Sequence, residues 1–175
     1  MASIGHVAIG LAAARSYAGD HESSRTLALR MTTWSLLSLL PDADVIGFRF
    51  GVRYADVYGH RGATHSYVFC LSLAVLLAFC AAPFGARVLR LGLYLAVVLV
   101  SHPLLDALTD GGLGCALYWP FEQQRHFAPW RPIPVAPIGA AFFSERGMRV
   151  ALIELAQFLP MFAYALWPRH KRPQA

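Results

Sequence analysis

Charge is what this sequence has least of. Asp, Glu, Lys and Arg make up 14 % of its 175 residues, against about 25 % in an ordinary soluble domain. Lysine is all but missing: Lys171 is the only one, and the other basic residues are arginines. These flank apolar runs instead of forming one patch, so the formal charge of +5 does not argue for nucleic acid. Cysteine is sparse as well. Cys70, Cys80 and Cys115 show no CxxC spacing, which removes a cysteine-based zinc site. Cys70 and Cys80, on one expected helix, would lie ~15 Å apart at ~1.5 Å per residue, too far for a disulfide.

What fills the chain is apolar: 57 % of residues are hydrophobic and the mean hydropathy is +0.46. At this length a single membrane-embedded domain, residues 1–175, is expected. Runs at 67–84, 88–108 and 148–167 are long enough to cross a bilayer, which takes about 20 mostly apolar residues. The third carries Glu154 and Pro160. Two shorter runs, 4–14 and 27–40, come first. The first of these lacks a basic segment ahead of it, so it reads as part of the mature chain and not as a signal peptide. The expectation is an all-α, polytopic membrane protein of about five membrane-embedded helices, with a long Pro- and aromatic-rich loop (111–147) before the last. The closing RHKR, Arg169 to Arg172, reads as a juxtamembrane anchor. Basic residues divide almost evenly between the two ends. A cytoplasmic C-terminus and a site on the opposite face are expected.

On an alternating path every polar motif falls at one end of the helices. His6 opens the first run, LLPDAD closes the second, HRGATHS precedes the third and SHPLLDALTD closes the fourth. His102, Asp106 and Asp110 stand at i, i+4 and i+8, one face of a helix. A carboxylate there is costly unless paired or ligating, although a helix end emerging into water would solvate Asp110. Asp42 and Asp44, on extended backbone, would point to the same side, although Pro and Asp also favour plain turns. His6, Asp42, Asp44, His60, His65, His102 and Asp106 are therefore the candidate metal ligands. Imidazole and carboxylate without thiolate suit zinc first, with manganese or iron as alternatives. Seven candidates suggest either two ions or outer carboxylates around one. His21, His126 and His170 have no partners nearby in sequence and read as surface.

The set SIGHVAIGLAAARSY, LLPDADVIGF, HRGATHS, HPLLDALTDGG and WPF…FAPWRPIPVAPIG…FFSERG resembles the YdjM-like family. Its members are described as LexA-binding, inner membrane-associated metal-dependent hydrolases, a reaction class itself inferred from motifs. The resemblance covers nearly the whole chain and implies a multi-pass protein of the bacterial inner membrane. In style the ligand set is also similar to zinc-dependent phospholipase C-like proteins, which favours phosphoester over peptide chemistry. The leading expectation is an enzyme in which one or two divalent ions activate water against an ester or phosphoester of a lipid-like or phosphorylated small substrate. Membrane lipids are its surroundings and nucleic acid is not a partner. Asp110 and Glu154 are the candidates for proton transfer. Arg61 and Arg131 are the candidates for gripping an anionic group, bidentately as guanidinium allows. Trp119, Phe121, Phe127 and Trp130 read as an interfacial aromatic belt. The competing expectations are a metal-binding or sensing protein with the same ligands and no chemistry, and a set of polar residues that only clamp the helices.

Overall fold

The computed structural model describes residues 3–19 and 22–168 and is all-α. Its six α-helices are α1 (Ser3–Tyr17), α2 (Ser24–Ser38), α3 (Tyr67–Cys80), α4 (Val88–Ala107), α5 (Glu145–Gln157) and α6 (Leu159–Leu166), with 3₁₀ segments at Leu40–Phe50, Ala63–His65, Ala82–Phe84 and Gly139–Phe143. Serines start three of them. The hydroxyls of Ser23, Ser66 and Ser144 accept the backbone N–H of Thr26, Phe69 and Gly147, at 3.1, 3.1 and 3.3 Å. Each satisfies an orphan donor of the first helical turn.

α1 packs on α2, α4 and α6, and α3 packs on α4. The shared core is Leu27, Met31 and Trp34 of α2, Cys70 and Ala74 of α3, and Leu95, Val98 and Leu99 of α4. α1 and α2 meet backbone to backbone at Gly10, where a Cβ would stand 2.6 Å from Ser35 Cα. Small residues allow such close approach between apolar helices.

The expectation of about five membrane-embedded helices does not hold. Among the described residues only α4, at 20 residues, is long and apolar enough to cross a bilayer, or two elements are if α5 and α6 count as one broken span. The run at 67–84 stops at Cys80 after 14 helical residues and turns through a 3₁₀ segment containing Pro83. The run at 148–167 breaks at Phe158, and its halves are bent by 64° with Pro160 in the first turn of the second. Proline has no N–H to give the preceding turn and its ring crowds the carbonyl four residues back. α1 and α2 reach 15 residues each, about 22 Å at ~1.5 Å per residue. The closing RHKR, with His170 and Lys171 in it, lies outside the described residues, as does His21.

The long loop 111–147 is pinned to the end of α4. Thr109 bridges Ile133 and Cys115 bridges His126, so the loop folds back over the same end of the molecule that carries HRGATHS.

Candidate metal centre

The site is assembled from three places. α4 supplies His102 and Asp106 one turn apart, both fully buried. The 3₁₀ segment after α2 supplies Asp42, and the short 3₁₀ turn before α3 supplies His65. Ligand atoms of Asp42, His65, His102 and Asp106 lie within 4.8 Å of one another. His65 Nε2 stands 3.4 Å from Asp42 Oδ1, 3.4 Å from Asp106 Oδ2 and 3.1 Å from His102 Nε2; His102 Nε2 is 3.4 Å from Asp42 Oδ1. A tetrahedron with bonds of ~2.0–2.1 Å has edges of ~3.3–3.4 Å, so this donor set fits a small divalent cation. Both oxygens of Asp42 are buried and accept no hydrogen bond among the described residues, an arrangement that is costly unless a cation answers them.

The far nitrogens of both imidazoles are held. His102 Nδ1 donates to the Ser38 carbonyl at 2.6 Å, and a carbonyl can only accept, so the Nδ1–H tautomer leaves Nε2 as the ligand atom. Ser38 also donates its hydroxyl to the His6 carbonyl at 2.8 Å, joining α1, α2 and α4 under the site. His65 Nδ1 faces Asp44 Oδ2 at 3.2 Å and the Thr64 hydroxyl at 3.1 Å. That hydroxyl donates to Asp44 at 2.7 Å, which leaves its oxygen to accept from His65.

Asp42 and Asp44 do not share one side of an extended strand, as the sequence suggested. Pro41 opens a 3₁₀ helix of ~3 residues per turn, so residues two apart diverge. Asp42 faces His65 Nε2, while Asp44 faces His65 Nδ1 and also His60 Nδ1, at 2.8 Å. Asp44, His60 and His65 form a second group whose ligand atoms lie within 4.8 Å. His6 is buried, stacked on His102 with ring centroids 3.8 Å apart, and its Nε2 is 3.5 Å from Asp106 Oδ1. It touches the cluster from the side and belongs to neither group.

The remaining candidates take different places. Arg61 is wholly buried. Its Nε meets Asp106 Oδ2 at 3.0 Å, and one terminal nitrogen donates to Thr109 Oγ1 at 3.0 Å and to the Gly111 carbonyl at 2.9 Å. It is committed to holding Asp106. Glu154 is buried, and its Oε2 accepts the N–H groups of Ile4 at 2.9 Å and Gly5 at 3.3 Å. It thereby caps the exposed donors of the α1 N-terminus. Asp110 lies beyond the end of α4, exposed, with Oδ1 accepting the Val135 N–H at 2.7 Å. Arg131 is exposed and lies over the Phe127 ring at 4.9 Å. Neither joins the ligand cluster.

Sequence reasoning did not single out Ser38, Thr109 or the clamping role of Arg125. Arg125 donates to the carbonyls of His60, Tyr54 and Asp56 at 2.7, 2.9 and 3.0 Å, fixing the loop that carries HRGATHS. Within that loop Gly62 is required, because a Cβ there would sit 2.1 Å from the Val57 carbonyl oxygen. Thr64 was visible beside the histidines; Arg125 was weighed with Arg61 and Arg131 as a grip for an anionic group or a balance for nearby acids, and its use on three backbone carbonyls was not foreseen.

The profile of the YdjM inner membrane protein family matches residues 1–173. The chain belongs to that family. It is also similar to the inner membrane protein YbcI of Escherichia coli (strain K12), with 45 % identity over 122 residues, covering 69 % of this chain and 70 % of that protein. No solved structure matches the chain. This YdjM-family protein is therefore a protein of the bacterial inner membrane, with a buried His/Asp cluster able to hold a metal ion.

The cluster's charge makes metal uptake pH-dependent. Burial alone would lower the His65 pKa, but the carboxylates of Asp106, Asp42 and Asp44 outweigh it and raise the value to about 10. For Asp44, burial pushes upward, and the imidazoles of His60 and His65 overcome it to hold the carboxyl at about 2. Metal-free His65 is thus a cation at neutral pH. Its contribution to stability is fully present below the ordinary histidine value and is lost as pH rises through about 10. A metal must displace that proton. Titration calorimetry at about pH 7 in two buffers of different ionisation heat should show release of about one proton per ion bound. Affinity should rise with pH, by up to about tenfold per unit. A proton count near zero would mean that His65 is neutral before the metal arrives.

Proposed function

We propose that this YdjM-family protein is a membrane-bound metal-dependent hydrolase acting on an ester or phosphoester bond of a lipid-like substrate. The observation that carries the reading is the convergence of Asp42, His65, His102 and Asp106, whose ligand atoms all lie within 4.8 Å. Imidazole with carboxylate and no thiolate is the donor chemistry of catalytic zinc and its neighbours. A divalent ion, zinc by preference, supplies water activation and Lewis-acid polarisation there. With Arg61 committed to Asp106, the exposed Arg131 is the arginine assigned to an anionic headgroup.

Two features support an amphiphilic substrate. α4 at ~1.5 Å per residue is ~30 Å long, the thickness of a bilayer's hydrocarbon, and its metal-site residues lie in its last two turns. An open apolar groove of ≈ 460 Å³ runs between α1, α4 and α6, lined among others by Ile9, Ala13, Leu93, Val97 and Met161. Ile9 is one turn along α1 from His6, and Val97 is five residues from His102. A hydrocarbon tail in that groove would run away from the cluster while the polar bond stayed beside it.

A second reading, a non-catalytic metal-binding or sensing protein, is favoured by one observation. Three of the four ligands are fully buried and the fourth is nearly so, and four protein ligands close a structural site. The two readings separate in one experiment. The detergent-purified protein, loaded with zinc or manganese, is tested on alkyl-chain esters and phosphoesters, with chelated protein as the blank. Hydrolysis that disappears on chelation and returns with metal is the expected result. A fully loaded protein inert on the whole panel, with a cobalt(II) spectrum that does not respond to small anionic ligands, would establish the closed site instead.

A further inference from the structure

We infer that the site takes a single ion, held by Asp42, His65, His102 and Asp106, and that Asp44 is the positioning residue that aims His65 at it. The inference rests on the metal-centre reading and is independent of which reaction, if any, follows.

Asp44 accepts three hydrogen bonds, all from HRGATHS, and faces a fourth nitrogen of the same stretch, His65 Nδ1. His60 Nδ1 donates to Oδ1 at 2.8 Å, while the Thr64 hydroxyl at 2.7 Å, the Arg61 backbone N–H at 3.2 Å and His65 Nδ1 at 3.2 Å converge on Oδ2. An ionised carboxylate offers about four lone-pair sites, so three donated protons and the adjacent His65 nitrogen occupy most of its capacity. An ion placed in the group of Asp44, His60 and His65 would have to strip protons from two imidazoles. It would also face the Arg61 N–H and the Thr64 O–H, two positive ends aimed at a cation. The contrast with Asp42 is direct. Asp42 is also buried, but neither of its oxygens accepts a hydrogen bond among the described residues, and its Oδ1 faces the near nitrogens of His65 and His102 at 3.4 Å each, the arrangement expected of a ligand and not of a positioning carboxylate.

The same four contacts explain the shape of HRGATHS. Arg61 takes a left-handed backbone, φ 64°, a conformation costly for a long side chain. Its N–H is held there by Asp44, and the turn sends the guanidinium to Asp106 while His60 and His65 remain on Asp44. A carboxylate on the far nitrogen of a ligating histidine fixes the tautomer and makes the near nitrogen a better donor. His65 has that partner, whereas His102 has only the neutral Ser38 carbonyl. Asp44 thus acts on the ion through His65.

The test uses full-length protein in detergent, stripped by chelator and titrated with zinc(II) and cobalt(II). Ions per chain are read by elemental mass spectrometry, affinity by competition with a chromophoric chelator, and ligand field from the visible cobalt(II) bands. Wild type and Asp44→Asn should each bind one ion. The variant's affinity should fall about 10–100-fold, with its cobalt(II) bands shifted. Thr64→Val, which removes one donor, should show a smaller fall in the same direction and keeps the test decisive if Asp44→Asn does not fold. Two ions in wild type and one in Asp44→Asn would make Asp44 a ligand and overturn the inference. Unchanged affinity and spectrum in the folded variants would overturn it too. A wild type that binds no ion is a separate outcome, which removes the metal-centre reading and this inference with it.

Discussion

Asp42→Asn should lose its metal while keeping its fold. The carboxamide has nearly the volume of the carboxylate, and among the described residues no hydrogen bond to either Asp42 oxygen is broken by the change. What goes is the charge that Oδ1 presents 3.4 Å from the ligand nitrogens of both His65 and His102. Loss of a direct ligand should exceed the ~10–100-fold cost of losing an outer partner, so affinity should fall by more than about a hundredfold. Any metal-dependent hydrolysis should vanish with it. Metal content after gel filtration, set beside a circular-dichroism melt, measures both halves. A folded Asp42→Asn variant with undiminished metal would take Asp42 out of the ligand set and return the cluster to a polar clamp between helices.

Arg61→Met is expected to produce the largest loss of stability. Arg61 is fully buried, and its guanidinium stands against Asp106 Oδ2 at 3.0 Å. It also holds Thr109 and the Gly111 carbonyl, tying the start of the long loop to the end of α4. Removing one partner of a buried ion pair costs about 3–5 kcal/mol, and because Asp106 keeps the imidazoles of His65 at 3.4 Å and His6 at 3.5 Å, the loss should fall toward the lower end of that range. The metal-free protein should suffer most. A bound divalent ion beside Asp106 supplies positive charge that the variant lacks, so metal should recover part of the loss. Arg61→Met/Asp106→Asn should recover part of it without metal, at the expense of metal affinity. Chemical unfolding of wild type, both single variants and the double variant, with and without zinc, checks the pattern. Equal destabilisation in the presence and absence of metal would show that Arg61 acts through loop packing and not through Asp106.

Much of the site was legible because local geometry forces it. Residues four apart on any helix share a face, so His102 and Asp106 had to point together once 88–108 was read as helical. His65, five residues after His60 and just ahead of an uncharged run, was visible in the same way. Asp42 and Asp44 were expected to face one centre, and they fall in two neighbouring groups instead, because a 3₁₀ helix and an extended strand place alternate residues differently and Pro41 permits either. Arg61 was read as a hand for substrate because a sequence gives no burial for an arginine in a loop. Glu154 was unusual for its apolar surroundings, and the structure uses it on the backbone of α1, 150 residues away.

By itself the sequence determined that the chain is all-α, apolar and poor in charge, that it belongs to an inner-membrane family, and which histidines and aspartates could act together. Those are properties of composition, helical period and motif order, and they hold whatever path the chain takes. Only the tertiary structure decided how many helices are long enough to span, which carboxylate faces which nitrogen, and where Arg61 and Glu154 are used. Pro83 and Pro160 sit in turns whose bend depends on what packs around them. The allegiance of Asp42, Asp44 and Asp106 depends on differences of a few tenths of an ångström between residues far apart in the chain, and no local rule reaches that far.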